Sequence, residues 1–154
     1  MRVLTVVGNR PQFIKAAAVS HRLRDGAEEV LVHTGQHYDE GLFVTPHGRV
    51  LEGPTWTFFW VHEGTLCTPP LEDHILASIT RARLLEECEV SERSCTLDDV
   101  RAAEEAFIAS TVREVMPIAA VDDIELPAAP GPVTRDAHER FVRRVERELA
   151  AAPA

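Results

Sequence analysis

Residues 52–81 read EGPTWTFFWVHEGTLCTPPLEDHILASITR, and this stretch decides the fold. Thr55 to His62 carries the β-branched and aromatic density of a buried strand. Glu63 and Gly64 then supply a two-residue turn, which folds the chain back as a hairpin onto Thr65, Leu66, Cys67 and Thr68. Pro69 and Pro70 close that strand, and after a short linker a helical pattern opens at Ile79, Thr80 and Arg81 and runs to about Glu87. One carboxylate, Glu52, therefore precedes an aromatic strand, and one hydroxyl, Thr80, sits where a helix begins. That order suits a site that holds a flat cationic ring at one end and a phosphate at the other.

The flanking segments extend the same alternation of strand and helix. Residues 43–44 are strand-like, and Pro46, His47 and Gly48 are turn chemistry. Residues 89–94 read as a further strand, and Thr96 as the N-cap of a short acidic helix over 97–103, with Asp98 and Asp99 in its first turn. Apolar runs at 106–109 and 115–121 flank Ser110 and Thr111, which places two adjacent hydroxyls in a break between strands. Asp122 and Asp123 mark a turn, residues 126–131 a Pro/Ala-rich loop, and Phe141, Val145 and Leu149 recur at helical spacing in a last helix over 133–149.

The beginning of the chain has a different character. Residues 3–7 form an apolar run ending in Gly8, Pro11 suits the first turn of a helix that continues to Gly26, and residues 29–33 return as a strand. Residues 1 to about 36 thus read as one βαβ unit, which must pack on more sheet to bury both faces. The helix start after Gly8 offers free amides to an anion, and Arg10 adds a forked cation.

Composition bounds the function. The chain has 154 residues, 45% hydrophobic and 27% charged, with a formal net charge of -9. This excess of acid repels a phosphate backbone, so no nucleic-acid partner is expected. No apolar run approaches the length of a membrane span, and the N-terminal run is too short for a secretion signal. Cys67, Cys88 and Cys95 are odd in number and lack metal-ligand spacing, which fits reduced thiols in a cytoplasmic protein. Seven histidines with no shared helical face give no metal site.

Two resemblances give these patterns a chemical meaning. GNRPQFIK, with HTGQHYD after the second strand, resembles the start of the non-hydrolysing UDP-N-acetylglucosamine 2-epimerases; by that likeness Gly8, Asn9, Arg10 and Lys15 match a nucleotide-sugar-binding segment. From about Asp39 the ordered landmarks EG before an aromatic strand, EGTLCTPP, HILASITR, STVRE and GPVTR resemble the fold-type IV pyridoxal-phosphate enzymes, which include class IV aminotransferases and aminodeoxychorismate lyase. That resemblance implies pyridoxal 5′-phosphate as cofactor and an amino acid or chorismate-derived substrate, and it leaves room for a homodimer whose usual surface is partly missing. It assigns Glu52 to the pyridine nitrogen, Leu76 to the face of the ring, Ile79 and Thr80 to the phosphate at the helix start, and Ser110 and Thr111 to the phosphate from a second loop. Taken singly, Glu52 also suits a solvated turn acid, Thr80 a helix cap and Ser110 with Thr111 a strand break; the ordered set points to common ancestry.

Two departures stand out. Where the family has glycines, this chain has His74 and Ser78, and a Cβ at the second position crowds the approach of a phosphate. The family's Schiff-base lysine precedes the glutamate on a strand, whereas the one lysine here, Lys15, lies in the epimerase-like helix. Lys15 is thus the single candidate for a catalytic amine, and without a working amine the chain reads as a truncated or chimeric class IV enzyme of impaired activity or as a non-catalytic remnant. The expected architecture is α/β: a βαβ segment over 1–38, joined to a class IV aminotransferase-like domain over 39–150, a mixed sheet or barrel with packed helices, and a tail over 151–154.

Overall fold

The computed structural model describes the backbone of residues 2–7 and 28–33 and, in full, residues 41–151. The chain divides into two compact units, Met1–Gly41 and Leu42–Ala154. In the first, β1 (Arg2–Val7) and β2 (Glu28–His33) pair in parallel from Arg2↔Glu28 through Val7↔His33, as the apolar runs imply. The helix expected between them, with Gly8, Asn9, Arg10 and Lys15, lies outside the described residues.

The second unit is built on five strands in the order β6-β5-β4-β8-β9. Its centre is β4 (Thr57–His62) and β8 (Glu105–Ser110), antiparallel in the register Thr57↔Ala109 through Val61↔Glu105. The hairpin from β4 into β5 (Thr65–Thr68) turns on Glu63 and Gly64, whose φ values of 49° and 70° are the two positive angles that such a turn needs. A crossover through α1 (Ile79–Glu87) returns the chain as β6 (Val90–Glu92), parallel to β5, so the sheet is mixed. On the other edge β8 doubles back into β9 (Glu114–Ile118).

Both faces of this sheet are covered, which is why residues 57–61 and 105–109 are buried without interruption. Phe59, Val61, Leu66, Phe107, Ala109 and Val115 form one face against Leu84 of α1 and Ala137 and Phe141 of α3 (Pro132–Ala151). Within it Phe59 and Phe107, directly opposite in register, stack at 4.9 Å between centroids. The alternate residues Phe58, Trp60, Cys67, Ala106 and Ile108 form the other face. They pack on Val50 of β3 (Arg49–Val50), Cys95 of β7 (Cys95–Thr96) and Val100 of α2 (Leu97–Arg101). β3 and β7 pair in a short antiparallel ladder.

Local signals fix several of these boundaries. The Thr96 hydroxyl accepts from the Asp99 amide (3.2 Å) while the Asp99 carboxylate accepts from the Thr96 amide (2.8 Å), a reciprocal cap that starts α2. This helix stops at Arg101 rather than at 103, because the Glu104 amide donates to the Val61 carbonyl (2.9 Å) and draws the chain into the β8 ladder. The apolar run at 115–121 is likewise split, β9 ending at Ile118 and a second small hairpin following, β10 (Ala120–Val121) with β11 (Ile124–Glu125), closed at Asp122 and Asp123. Helix α3 is pinned to α1 by Arg144 on Glu86 and Glu87 and by Arg147 on Glu87, while Glu148 steadies Arg144 from within α3. These bonds hold the Glu87 carboxyl below its usual range, those from Arg147 and Arg144 outweighing the small effect of burial.

Candidate functional site

The register pair Thr57↔Ala109 sets the site. Because β4 begins where β8 ends, the loop that carries Glu52 and the turn that carries Ser110 and Thr111 emerge at the same edge of the sheet. The start of α1 is brought to that edge by a hydrogen bond between the hydroxyls of Thr57 and Ser78 (3.1 Å). The three segments enclose a cavity of about 180 Å³, lined by Glu52, Gly53, Trp56, Thr57, Leu76, Ser78, Thr80, Ser110 and Thr111 among others. Of the ten residues singled out by sequence, Glu52, Leu76, Thr80, Ser110 and Thr111 line this one space. Ile79 does not line it: its side chain points outward, 74% exposed, and only its amide belongs to the helix start. The remaining four, Gly8, Asn9, Arg10 and Lys15, lie outside the described residues.

Each end of the cavity has its own chemistry. Among the described residues Glu52 is the single ionisable one lining it. Its Oε1 accepts from the Leu76 amide at 3.0 Å. Burial pushes the Glu52 carboxyl above its ordinary 4.5, against the Leu76 hydrogen bond and the nearby charge of Arg81. The opposite end is rich in hydroxyls. Ser110 Oγ accepts from the Arg113 amide at 3.1 Å, an interaction that does not use its own O–H donor. Thr80 is 3% exposed and lines the cavity from the first turn of α1. That turn contains no acidic residue, and its leading amides have no acceptor within the helix. The positive end of the helix and a ring of hydroxyls thus converge, which is the donor set an oxyanion requires.

Several residues hold this geometry without having been singled out for a role. Ser78, read from sequence only as a Cβ that crowds a phosphate, is the N-cap of α1 and accepts from the Arg81 amide at 3.2 Å. Its capping hydroxyl was legible as Ser followed by a helical pattern, but its link to Thr57 was not. Arg81, 4% exposed, donates to the Pro69 carbonyl (3.0 Å) and pairs with Glu92, tying the helix start to the end of β5 and to β6. Gly53 lies under the Trp56 indole: a Cβ built on it meets the ring at 2.1 Å. His74, at the other position where glycine is usual, takes a left-handed conformation with φ of 64°.

The sequence profile of the family described as amino-transferase class IV matches residues 18–121, two thirds of the chain. The chain belongs to this family. Among its relatives, the branched-chain-amino-acid aminotransferase of Escherichia coli is 31% identical over 110 residues, covering 68% of this chain and 36% of the relative. The chain therefore spans a little over a third of the length of that enzyme. Among solved structures, the branched-chain amino acid aminotransferase from Thermobaculum terrenum in its PLP form superposes with a TM-score of 0.64 at 30% identity, over 88% of this chain and 43% of the other. A separate likeness covers less. A UDP-N-acetylglucosamine 2-epimerase homolog of Methanococcus maripaludis is 59% identical over 39 residues, 25% of this chain and 11% of the relative. The class IV profile begins at residue 18, inside the segment assigned to 1–38 by its epimerase-like motifs. Among the described residues, no helix is long and apolar enough to cross a membrane.

Proposed function

We propose that residues 39–150 form the pyridoxal 5′-phosphate cradle of a class IV aminotransferase, in a truncated or recombined chain with little amino-group transfer of its own. The observation that carries this reading is the convergence of Glu52, Leu76, Thr80, Ser110 and Thr111 on one cavity. The donor set fits the two polar ends of the cofactor. Thr80, Ser110, Thr111 and the amides that open α1 would hold the phosphate. Glu52 would face the pyridine nitrogen, its charge favouring the protonated ring. Leu76 would cover one side of the ring. When bound, the cofactor supplies an electron sink for a substrate amino acid.

The remaining requirement is an amine. Among the described residues no lysine lines the cavity, and the chain's single lysine, Lys15, lies outside them. Transfer of an amino group needs a base placed to attack, and a small misplacement costs orders of magnitude in rate. The reading is therefore a cofactor-binding protein with impaired transferase or lyase chemistry, its amino acid or chorismate-derived substrate still to be assigned. A second reading rests on the 39-residue likeness at 59% identity: the segment with Gly8, Asn9, Arg10 and Lys15 binds a UDP-sugar, without epimerase catalysis.

Both readings are tested by thermal stability of the purified chain with pyridoxal 5′-phosphate and with UDP, followed by borohydride reduction and peptide mass mapping. Saturable stabilisation by the cofactor supports the first reading, and an adduct at Lys15 that survives competition by free lysine would add the missing amine. Stabilisation by UDP alone, abolished by Arg10→Ala, would replace it with the second.

A further inference from the structure

A second cavity, of about 380 Å³, lies away from the first and is lined by Thr45, His47, Arg49, Asp73, His74 and Cys95, with Ser94 and Thr96 at its edge. None of these residues lines the first cavity. Its acid is unusual. The Asp73 side chain is 3% exposed, and its Oδ1 accepts from Arg49 Nη1 at 2.6 Å. Its Oδ2, equally buried, has no hydrogen-bond partner among the described residues. A buried carboxylate oxygen without a donor is costly, so such an atom marks a place where a donor belongs.

The partner across the pair is of the opposite kind. Arg49 is half exposed at 51%, and one N–H of its guanidinium is spent on Asp73. The fork has five such donors, which leaves several for an anion. A buried acceptor and a guanidinium with spare donors, side by side, call for a ligand with a cation and an anion on neighbouring atoms. The strongest complement to a carboxylate is an ammonium, and to a guanidinium a carboxylate. His47 and His74 also line the cavity, and among the described residues no acid besides Asp73 lines it to repel the ligand's anionic end.

We propose that this second cavity binds a free α-amino acid, its ammonium on Asp73 Oδ2 and its carboxylate on Arg49. The site needs no cofactor and does not depend on the reading of the first cavity.

The test is calorimetric titration of the full chain, without pyridoxal 5′-phosphate, with L-alanine and L-leucine. The leucine analogues 4-methylpentanoate, which lacks the ammonium, and 3-methylbutylamine, which lacks the carboxylate, are titrated beside them. One-site binding of at least one amino acid, with neither analogue binding, is the expected result. Asp73→Asn should weaken binding about thirtyfold or more, the loss typical of truncating a buried charge, and Arg49→Gln, whose guanidinium is half exposed, about tenfold, each variant being checked for folding by far-UV circular dichroism. Thr80→Val with Thr111→Val in the first cavity should leave it unchanged. The proposal is overturned if neither amino acid binds, if 4-methylpentanoate binds as tightly as leucine, or if Thr80→Val with Thr111→Val removes binding while Asp73→Asn does not. Should Asp73→Asn fail to fold, Arg49→Gln and the analogues on the unaltered chain still decide. Loss of pyridoxal 5′-phosphate binding alone would bear on the first cavity and not on this one.

Discussion

Helix α3 is capped from another element, and removing that cap gives a prediction with a characteristic sign. Gly131, the residue before Pro132, has no side chain to satisfy the first amides of the helix. The carboxylate of Glu105, on β8 and 3% exposed, takes that role: Oε1 accepts from Val133 N at 3.1 Å and Oε2 from Thr134 N at 2.8 Å. A Cβ on Gly131 would lie 2.0 Å from the Glu105 carboxyl carbon, so the acid fills the space that a local cap would use. A hydrogen bond to a charged group contributes about 1.5–3 kcal/mol, and an anion at a helix start up to about 2 kcal/mol. Glu105→Gln keeps one acceptor and loses the charge and the second bond, so a loss of about 2–4 kcal/mol is expected. Glu105→Ala leaves both amides without this acceptor and should cost about 3–5 kcal/mol. Gly131→Ser should destabilise the unaltered protein by collision with Glu105 but stabilise the Glu105→Ala background by about 1 kcal/mol, as a serine N-cap does. Urea unfolding followed by the fluorescence of Trp56 and Trp60 measures all four variants. If Gly131→Ser costs the same in both backgrounds, or Glu105→Gln costs under about 0.5 kcal/mol, the remote cap is not what starts α3.

Three further outcomes follow from the site and its supports. Gly53→Ala drives a methyl into the Trp56 indole and should cost about 1–3 kcal/mol, with a blue or red shift of tryptophan emission as the ring leaves the cavity wall. His74→Gly relieves a left-handed backbone angle, and after the extra freedom of glycine in the unfolded chain a gain of about 0.5–1 kcal/mol is expected; a loss in thermal melting would mean that the imidazole contributes more than the strain. Glu52 has a carboxyl raised in the folded state mainly by burial, so its charging opposes folding: the stability it contributes is present below the unfolded value of 4.5 and is lost as pH rises through the higher folded value. Glu52→Gln, which keeps an acceptor for the Leu76 amide, should therefore equal or exceed the parent in melting temperature at pH 7, with the difference closing near pH 4; a difference that widens on acidification would contradict the sign.

What could be read from the sequence was what neighbouring residues decide among themselves. The turn at Glu63 and Gly64, the start of α1 at Ile79 and the N-cap at Thr96 each involve residues a few positions apart, and each stands where it was expected. The end of α2 was missed because the Val61 carbonyl that draws Glu104 away is 43 positions upstream. Glu105 gave no signal as a cap for the same reason, its amides lying 28 and 29 positions downstream. In the site, motif resemblance picked out Glu52, Leu76, Thr80, Ser110 and Thr111, which share one cavity. Motifs did not reveal what assembles them. The Thr57 to Ser78 hydrogen bond, the Arg81 contacts with Pro69 and Glu92, and the seat of Trp56 on Gly53 are products of tertiary packing.

The most direct test of the cradle is equilibrium titration of the full chain with pyridoxal 5′-phosphate and with phosphate-free pyridoxal, read by quenching of Trp56 and Trp60. Saturable one-site binding of the phosphorylated form, weakened at least tenfold when Thr80 and Thr111 are both changed to Val and absent for pyridoxal, is the predicted result. Equal binding of the two forms, or affinity for pyridoxal 5′-phosphate untouched by those substitutions, would contradict it.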